Sequence, residues 1–194
     1  MEEKTKPQAR TRDLGKGSIP KLLAQLAIPV VVAQIVNLLY NIVDRIYIGH
    51  IPGIGAAALT GVGLFAPILM LINAFAMLSG SGGAPRAAIF MGKRDNETAE
   101  KIMANCFSLI LIFAVGLTIL FSIFAPRLLI LFGASDATLP YAVEYARIYI
   151  FGSIFVLIVL GMNLFITTQG FSKISMITVL VGAISNIILD LLFI

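Results

Sequence analysis

The sequence predicts an all-α integral membrane protein, a polytopic helical bundle with about five transmembrane helices. Two features of composition support this prediction: 59% of the 194 residues are hydrophobic and only 12% are charged, whereas about 25% are charged in a typical soluble domain. A soluble fold of this size could not bury so much apolar surface in one core. The third observation is a series of long uncharged stretches, the first of which runs from Leu22 to Val43.

The distribution of charge argues against one class of partner and orients the chain. Residues 1–17 form a polar tail, and no basic patch with aromatic or polar readers follows it, so nucleic-acid binding is not expected. With five helices, eleven of the fourteen Lys and Arg residues fall on the side of the N-terminus, and only Arg45, Arg127 and Arg147 fall on the other. Basic residues favour the cytoplasmic side, so the N-terminal tail is expected in the cytoplasm. The single cysteine, Cys106, excludes an intramolecular disulfide.

Helix 1 is predicted over about 18–47. Ser18 is placed to cap it, and Pro29 is expected to bend it because proline removes a backbone donor. A turn rich in glycine and proline at 49–53 ends the helix. This turn contains His50, which has no second His or Cys at ligand spacing and is therefore expected to be a surface residue.

Helix 2 is predicted over about 56–80, with a short helical extension to 91. The glycine-rich segment Ser79–Pro85 follows no strand and lacks the Gly-Lys-Ser/Thr ending of a phosphate loop. It therefore indicates a helix break or a close helix–helix contact. The charged residues 92–97 are expected to form a loop.

Three further helices are predicted from apolar runs bounded by turns, at about 100–124, 141–168 and 175–194. Helix 3 is expected to stop before Pro126, and the apolar segment Leu128–Phe132 of the following connector to lie along the membrane surface. Helix 5 stays apolar to Ile194, whereas membrane helices normally end in polar or interfacial residues. The sequence is therefore expected to be a fragment of a longer protein.

Polar residues interrupt the last turns of helix 1: Asn37, Tyr40, Asn41 and Asp44. Helical neighbours recur every three to four residues, so these side chains are expected near one another on one face. Asp44 is followed by Arg45, and the two could form an interfacial pair that marks the outer end of the helix. Alternatively, Asp44 belongs to a cation or proton site in an aqueous cleft, because a carboxylate in hydrocarbon is costly and indicates a function.

Helix 5 carries a second polar pair, Asn186 and Asp190, whose i,i+4 spacing puts both on one face. The rise of an α-helix places Asp44 about 36 Å, and Asp190 about 24 Å, from the predicted starts of their helices. Both carboxylates are therefore expected in the outer half of the bilayer or at its edge. With the polar residues of helix 1 they could bind a hard cation through oxygen atoms, or simply join helices by hydrogen bonds.

Helix 4 offers weaker candidates. Tyr145 and Tyr149, near its outer end, are suited equally to anchoring the membrane interface and to lining a cavity. Asn163, near its inner end, could line a path or help to cap the helix.

Several segments occur in an order that resembles a known family: Val43–Gly49, Ala57–Leu59 leading to Pro67, Phe90–Asp95, Leu131–Ala134, Gln169–Gly170 and Asn186–Asp190. The series resembles the N-terminal half of the multidrug and toxic compound extrusion (MATE) family, most closely its bacterial members. That family has twelve transmembrane helices in two six-helix lobes around a cavity that opens to alternate sides. The resemblance implies that residues 18–194 are most of the first lobe and end before its sixth helix.

The resemblance implies a secondary antiporter rather than an enzyme. It would export cationic amphipathic compounds in exchange for Na⁺ or H⁺, with no cofactor besides the coupling ion. The implied partners are these substrates, membrane lipids and the second lobe of a transporter that is monomeric when full length, in the inner or plasma membrane.

The resemblance also implies roles for particular residues. Asp44, Asn186 and Asp190 match the family's coupling-ion site, where Na⁺ could bind. Tyr40 and Asn37 lie beside it, and some relatives have glutamine in place of Asn37. Tyr145 and Asn163 match further cavity-lining positions.

Three other functions fit the sequence less well. A lipid-linked oligosaccharide flippase of the same superfamily would need a strongly basic cavity, but the predicted spans hold hardly any internal Lys or Arg. An intramembrane enzyme would need a cluster of Asp, His or Ser with a nucleophile or metal, which one histidine and scattered aspartates do not provide. A non-transport membrane subunit would leave two carboxylates in the bilayer without a purpose.

Overall fold

Six helices make up the described part of the chain, residues 18–193 of a computed structural model whose side chains are described through residue 188. In chain order they are α1 (Ile19–Gly49), α2 (Gly55–Leu64), α3 (Ala66–Gly92), α4 (Asn96–Leu131), α5 (Leu139–Thr168) and α6 (Ser172–Phe193). The predicted all-α fold class is confirmed. The tail at 1–17 and residue 194 lie outside the described residues.

Four helical spans of the described residues are long and apolar enough to cross a membrane: α1, α2 together with α3, α4, and α5. In α6 the residues Ser172–Ile188 form a shorter apolar helix, and the helix itself continues to Phe193. With α6 as the fifth apolar helix, the arrangement agrees with the predicted number of spans.

Short turns join the helices. In the turn after α1, His50 is exposed as expected, and its Nδ1 lies 2.7 Å from the carbonyl oxygen of Ile46. In the turn before α4, the carboxylate of Asp95 accepts a hydrogen bond from the Thr98 N–H at 3.0 Å and caps the helix. Ser18 occupies the N-cap position of α1, but its side chain makes no capping hydrogen bond.

The second span is divided, whereas the sequence predicted one helix over 56–80. Phe65 separates α2 from α3, with its N–H bonded to Val62 in a tighter i−3 turn at 3.2 Å. The cause is Pro67, which has no N–H to give to the carbonyl group of Gly63. The two pieces still form one membrane span of 38 residues.

The expectation that helix 3 stops before Pro126 is wrong. The helix α4 runs through Pro126 to Leu131, so Leu128–Phe132 does not lie along the membrane surface as a separate segment. Proline removes one helical hydrogen bond here, but Ala125 and Leu129 on either side are buried in the main core. Packing of this last apolar turn therefore outweighs the loss of one hydrogen bond.

The glycine-rich segment Ser79–Pro85 is a close helix–helix contact and not a helix break. It lies inside α3, where a Cβ on Gly80 would come within 2.8 Å of the carbonyl oxygen of Gly161 in α5. A Cβ on Gly83 would likewise collide with the sulfur of Cys106 in α4. Small residues let membrane helices approach one another closely. Here they allow α3 to approach both α5 and α4.

The helices pack as two connected groups. The helices α3, α4 and α5 pack against one another and enclose the main core, with Ile72, Ile110, Leu129 and Leu157 fully buried. The helix α1 packs chiefly against α6. Further contacts of α1 with α2, α2 with α5, and α5 with α6 link these four helices in a closed ring.

Candidate functional site

The polar stripe of α1 lies on the face that packs inward. Asn37, Tyr40 and Asp44 are half-buried and continue the line of the buried residues Pro29 and Ala33. Because the spacing between them is three or four residues, all five lie along one side of the helix. Three of the four polar residues predicted to share a face therefore do so.

Asn41, the fourth residue of that stripe, is exposed. Its amide nitrogen donates to the backbone oxygen of Asn37 at 2.7 Å and lies 3.3 Å from the side-chain oxygen of Asn37. Asn41 therefore lies at the edge of the stripe and is hydrogen-bonded to Asn37, one of the inward-facing residues.

A single contact sets the register of α1 against α6. The Ser172 hydroxyl at the start of α6 donates to the carbonyl oxygen of Gln25 in α1 at 3.4 Å. From this contact, Asp44 lies about 28 Å along α1 and Asp190 about 27 Å along α6 at 1.5 Å per residue. Tyr40 and Asn186 lie at about 22 Å and 21 Å on the same scale. The two helices run in parallel, so these residues lie at two matching levels.

The residues of α6 that the sequence singled out are described in part. Asn186 is half-buried, three residues after the buried Ala183, and so continues the packed face of the helix. Asp44 and Asn186 both interact with other groups of the chain. The side chain of Asp190 lies outside the described residues.

The helix α5 brings two tyrosines towards the stripe of α1. Tyr145 lies within range of electrostatic interaction with Asp44, Tyr40 and Arg45, and Tyr149 with Tyr40. Both tyrosines are half-buried. Whether Tyr145 and Tyr149 line a cavity or anchor the membrane interface stays a prediction.

Phe65, at the break between α2 and α3, completes this group of side chains. It is fully buried, and its ring centroid lies 5.4 Å from that of Tyr145 and 5.5 Å from that of Tyr149, in edge-to-face arrangements. The two tyrosine rings are 5.9 Å apart. Sequence reasoning missed Phe65, although Pro67 two residues later marked the break that places it here.

Asn163 is not part of this group. Eighteen residues, or about 27 Å of helix, separate it from Tyr145 along α5. Its side-chain oxygen is buried and has no hydrogen-bond partner among the described residues, while its backbone oxygen accepts from the Thr167 hydroxyl at 3.0 Å. Its role in lining a cavity stays a prediction.

An open cleft of about 200 Å³ lies at the other end of the bundle, between α3, α4 and α5. The residues that line it include Met91, Met103, Phe165 and Gln169. Glu100 contributes a carboxylate to the lining. Since Phe165 is some twenty residues along α5 from Tyr145, this cleft is remote from Asp44.

Comparison with known proteins decides the family. The MatE family model matches residues 29–192, which include the polar stripe of α1 and the Asn186–Asp190 pair. The chain belongs to the MatE family. The resemblance carried by the ordered segments is thereby confirmed, and the apolar helices of this MatE chain make it a multi-pass membrane protein.

Named relatives and solved structures agree with this assignment. The chain is 23% identical over 179 residues to "Probable multidrug resistance protein YoeA" of Bacillus subtilis (strain 168), covering 92% of this chain and 38% of the relative. It is also 23% identical over 176 residues to "FAD transporter" of Shewanella oneidensis, covering 91% and 38%. The solved structure of the "MATE multidrug transporter DinF-BH" is 35% identical with a TM-score of 0.87, over 96% of this chain and 41% of that one.

These MatE relatives are considerably longer. The chain spans 38% of the length of the two curated relatives and 41% of the solved structure.

Proposed function

We propose that this chain is the first lobe of a secondary antiporter that exports cationic amphipathic compounds in exchange for Na⁺ or H⁺. The observation that carries the proposal is the half-buried polar face of α1, whose Asp44 and Tyr40 lie within electrostatic reach of Tyr145 in α5. A carboxylate on the packed face of a membrane helix is costly, and such residues often mark the path of an ion or a proton. The names of several relatives, such as a probable multidrug resistance protein, support export of drugs.

The proposed coupling-ion site consists of Asp44, Asn186 and Asp190, with Tyr40 and Asn37 beside them. Matching levels along α1 and α6 support it, because a carboxylate and an amide from each helix could then supply oxygen ligands to Na⁺. The same carboxylates could instead carry H⁺. A second six-helix lobe, absent from this chain, would form the other wall of the central cavity.

The proposed cycle couples ion and cargo through two states of the bundle. Ion binding at Asp44 and Asp190 favours one arrangement of α1, with Pro29 as the point at which the helix can bend. Cargo favours the other arrangement. Binding of one ligand therefore weakens binding of the other only to the extent that the two ligands prefer different arrangements. In this proposal the N-terminus faces the cytoplasm and the ion enters from outside.

The lipid-linked oligosaccharide flippase is not favoured. It would require cations facing the proposed cavity, whereas the half-buried groups of α1 and α5 at the site are amide, phenol and carboxylate. Arg45, the nearest cation, is exposed at the end of α1.

Replacement of the two carboxylates tests the proposed function in the full-length transporter. Interactions of a charged group are worth about 1.5–3 kcal/mol each, or roughly tenfold or more in affinity. We therefore expect Asp44→Asn and Asp190→Asn each to lower ion-dependent dye efflux at least about tenfold at subsaturating ion. Efflux by dye-loaded cells, with the amount of protein in the membrane measured in parallel, is the readout.

Asp136→Asn is the matched control, because Asp136 is an exposed carboxylate in the turn between α4 and α5. It should leave efflux unchanged. Undiminished, ion-dependent efflux in both Asp44→Asn and Asp190→Asn would overturn the assignment of the site.

A further inference from the structure

Phe65 occupies an unusual position for an aromatic residue in a membrane span. It lies at the break between α2 and α3, yet its side chain is fully buried. Its carbonyl oxygen still accepts from the N–H groups of Ile68 and Leu69, at 3.0 and 3.1 Å, so the break is a well-defined turn. The ring is therefore held at one place on the inner side of the span.

The backbone of α2 is held at two points before the break. At the start of α2, Gly55 packs directly against the carbonyl group of Gly49 at the end of α1. Later in α2, a Cβ on Gly61 would lie 2.9 Å from the backbone nitrogen of Ala142 in α5. Contacts between backbones leave α2 little freedom to slide, so α2 carries Phe65 to a place defined by α1 and α5 together.

The ring of Phe65 meets two tyrosines edge to face. The centroid distances of 5.4 and 5.5 Å to Tyr145 and Tyr149, with interplanar angles of 80° and 62°, lie in the preferred range for aromatic pairs. Those tyrosines are the α5 residues in electrostatic reach of Tyr40, and Tyr145 is also in reach of Asp44. Phe65 itself contributes no polar atom.

We propose that Phe65 is a positioning residue for the coupling-ion site, which holds the rings of Tyr145 and Tyr149 within reach of the polar residues of α1. The proposal rests on the proposed antiport function and extends it to a residue outside the ion-binding set. The edge-to-face contacts fix the direction in which the two phenol groups point. Loss of the ring frees the tyrosines, and the site then binds its ion more weakly while the transport steps themselves remain intact.

Phe75 provides a matched control within the same span. Its ring pairs with Phe113 of α4 at 4.8 Å and 61°, so it makes a similar aromatic contact on α3. Phe75 and Phe113 have no role in the proposed ion site. The substitution Phe75→Met therefore measures how efflux responds to the loss of one aromatic pair away from the proposed ion site.

The experiment measures efflux by the full-length transporter as a function of Na⁺ at fixed pH and of pH at fixed Na⁺. Methionine conserves volume without a ring, so Phe65→Met is expected to raise the half-saturating concentration of the coupling ion by about threefold or more, with little change in maximal efflux. Phe75→Met should leave the half-saturating concentration unchanged. Phe65→Tyr keeps the ring and should restore the wild-type value.

Pentafluorophenylalanine at Phe65 gives a second, independent variant if the methionine variant does not reach the membrane. It keeps the ring and nearly its shape but reverses the charge distribution between face and edge, and so should shift the ion dependence in the same direction.

Unchanged ion dependence in both Phe65→Met and the pentafluorophenylalanine variant, or an equal shift in Phe75→Met, would overturn the role of Phe65. Wild-type efflux that responds to neither Na⁺ nor pH would instead overturn the proposed function. The two failures are thus distinguished in one data set.

Discussion

At the scale of single residues, two carboxylates of the bundle lie in different surroundings. Asp44 lies on the packed face of α1, whereas Asp95 caps α4 from the turn before it. Hydrogen bonds from the Thr98 hydroxyl and the Thr98 N–H, together with the nearby Lys101 and Lys93, hold the pKa of Asp95 below its usual value. This carboxylate therefore stabilises the start of α4 through its charged form.

The lowered pKa of Asp95 predicts how the cap depends on pH. A group whose pKa is lower in the folded state contributes stability above its unfolded pKa and loses that contribution as pH falls through the folded pKa. We expect Asp95→Ala to lower the unfolding temperature at pH 7 by no more than about 2 °C. The difference from wild type should begin to shrink below about pH 4 and decrease further as the pH falls through the lowered pKa of Asp95. Thermal unfolding in detergent across this pH range measures both effects.

Asp95→Asn is the control for that prediction, because asparagine keeps an acceptor for the Thr98 N–H but does not titrate. Its difference from wild type should be smaller at pH 7. A difference between wild type and Asp95→Ala that grows as the pH falls would contradict the assignment.

Single residues also show how far the sequence could predict the site. Asn37, Tyr40 and Asp44 could be placed on one face because their spacing alone fixes their direction within a helix. The electrostatic reach of Tyr40 and Asp44 to Tyr145 could not be predicted, since it depends on how α1 is placed relative to α5, more than 100 residues later. Phe65 escaped notice because an aromatic residue in an apolar span has no polar feature to distinguish it, and only packing makes it part of the site.

At the scale of elements, the seam between α3 and α5 depends on two glycines. The Cβ that Gly80 lacks would lie 2.8 Å from the Gly161 carbonyl oxygen and 2.9 Å from a methyl group of Leu164. Only a residue without a side chain allows the two backbones to approach this closely. The seam is therefore a rigid part of the bundle.

Two neighbouring glycines of α3 should respond to alanine in opposite ways. Gly80→Ala should destabilise the protein by about 1–3 kcal/mol, because it overpacks the seam. Gly82→Ala meets nothing within 4 Å and should be neutral or stabilising by up to about 1 kcal/mol through better helix propensity. Unfolding in detergent distinguishes them, and equal behaviour of the two variants would show that the seam is not tightly packed.

The elements were predicted to within a few residues wherever a turn bounded an apolar run. Both errors involved proline: Pro67 divides the second span, and Pro126 fails to end α4. Proline removes the same hydrogen bond at either place, so its effect depends on the packing of the residues around it. At Pro126 the helix continues, and Leu129 one turn later is buried in the core. Tertiary packing of this kind cannot be read from the local sequence.

At the scale of the whole molecule, the predicted orientation in the membrane rests on the excess of basic residues in the N-terminal tail and in the turns on its side. With Cys106 replaced by serine, the chain offers a cysteine-free background, since Cys106 is its single cysteine. We expect Asp136→Cys, between α4 and α5, to react with a membrane-impermeant maleimide on intact cells. Lys93→Cys, between α3 and α4, should react only after the membrane is permeabilised, and the reverse pattern would invert the proposed topology.

The contact between Ser172 and Gln25 has a consequence for how α1 and α6 could move against each other. It sets a register in which the backbone of Tyr40 is level with that of Asn186, and the backbone of Asp44 with that of Asp190. A slide of α1 by one helical turn, about 5.4 Å, would bring Asp44 level with Asn186 instead. A displacement no larger than the pitch of a helix would thus change the residue of α6 that lies level with Asp44.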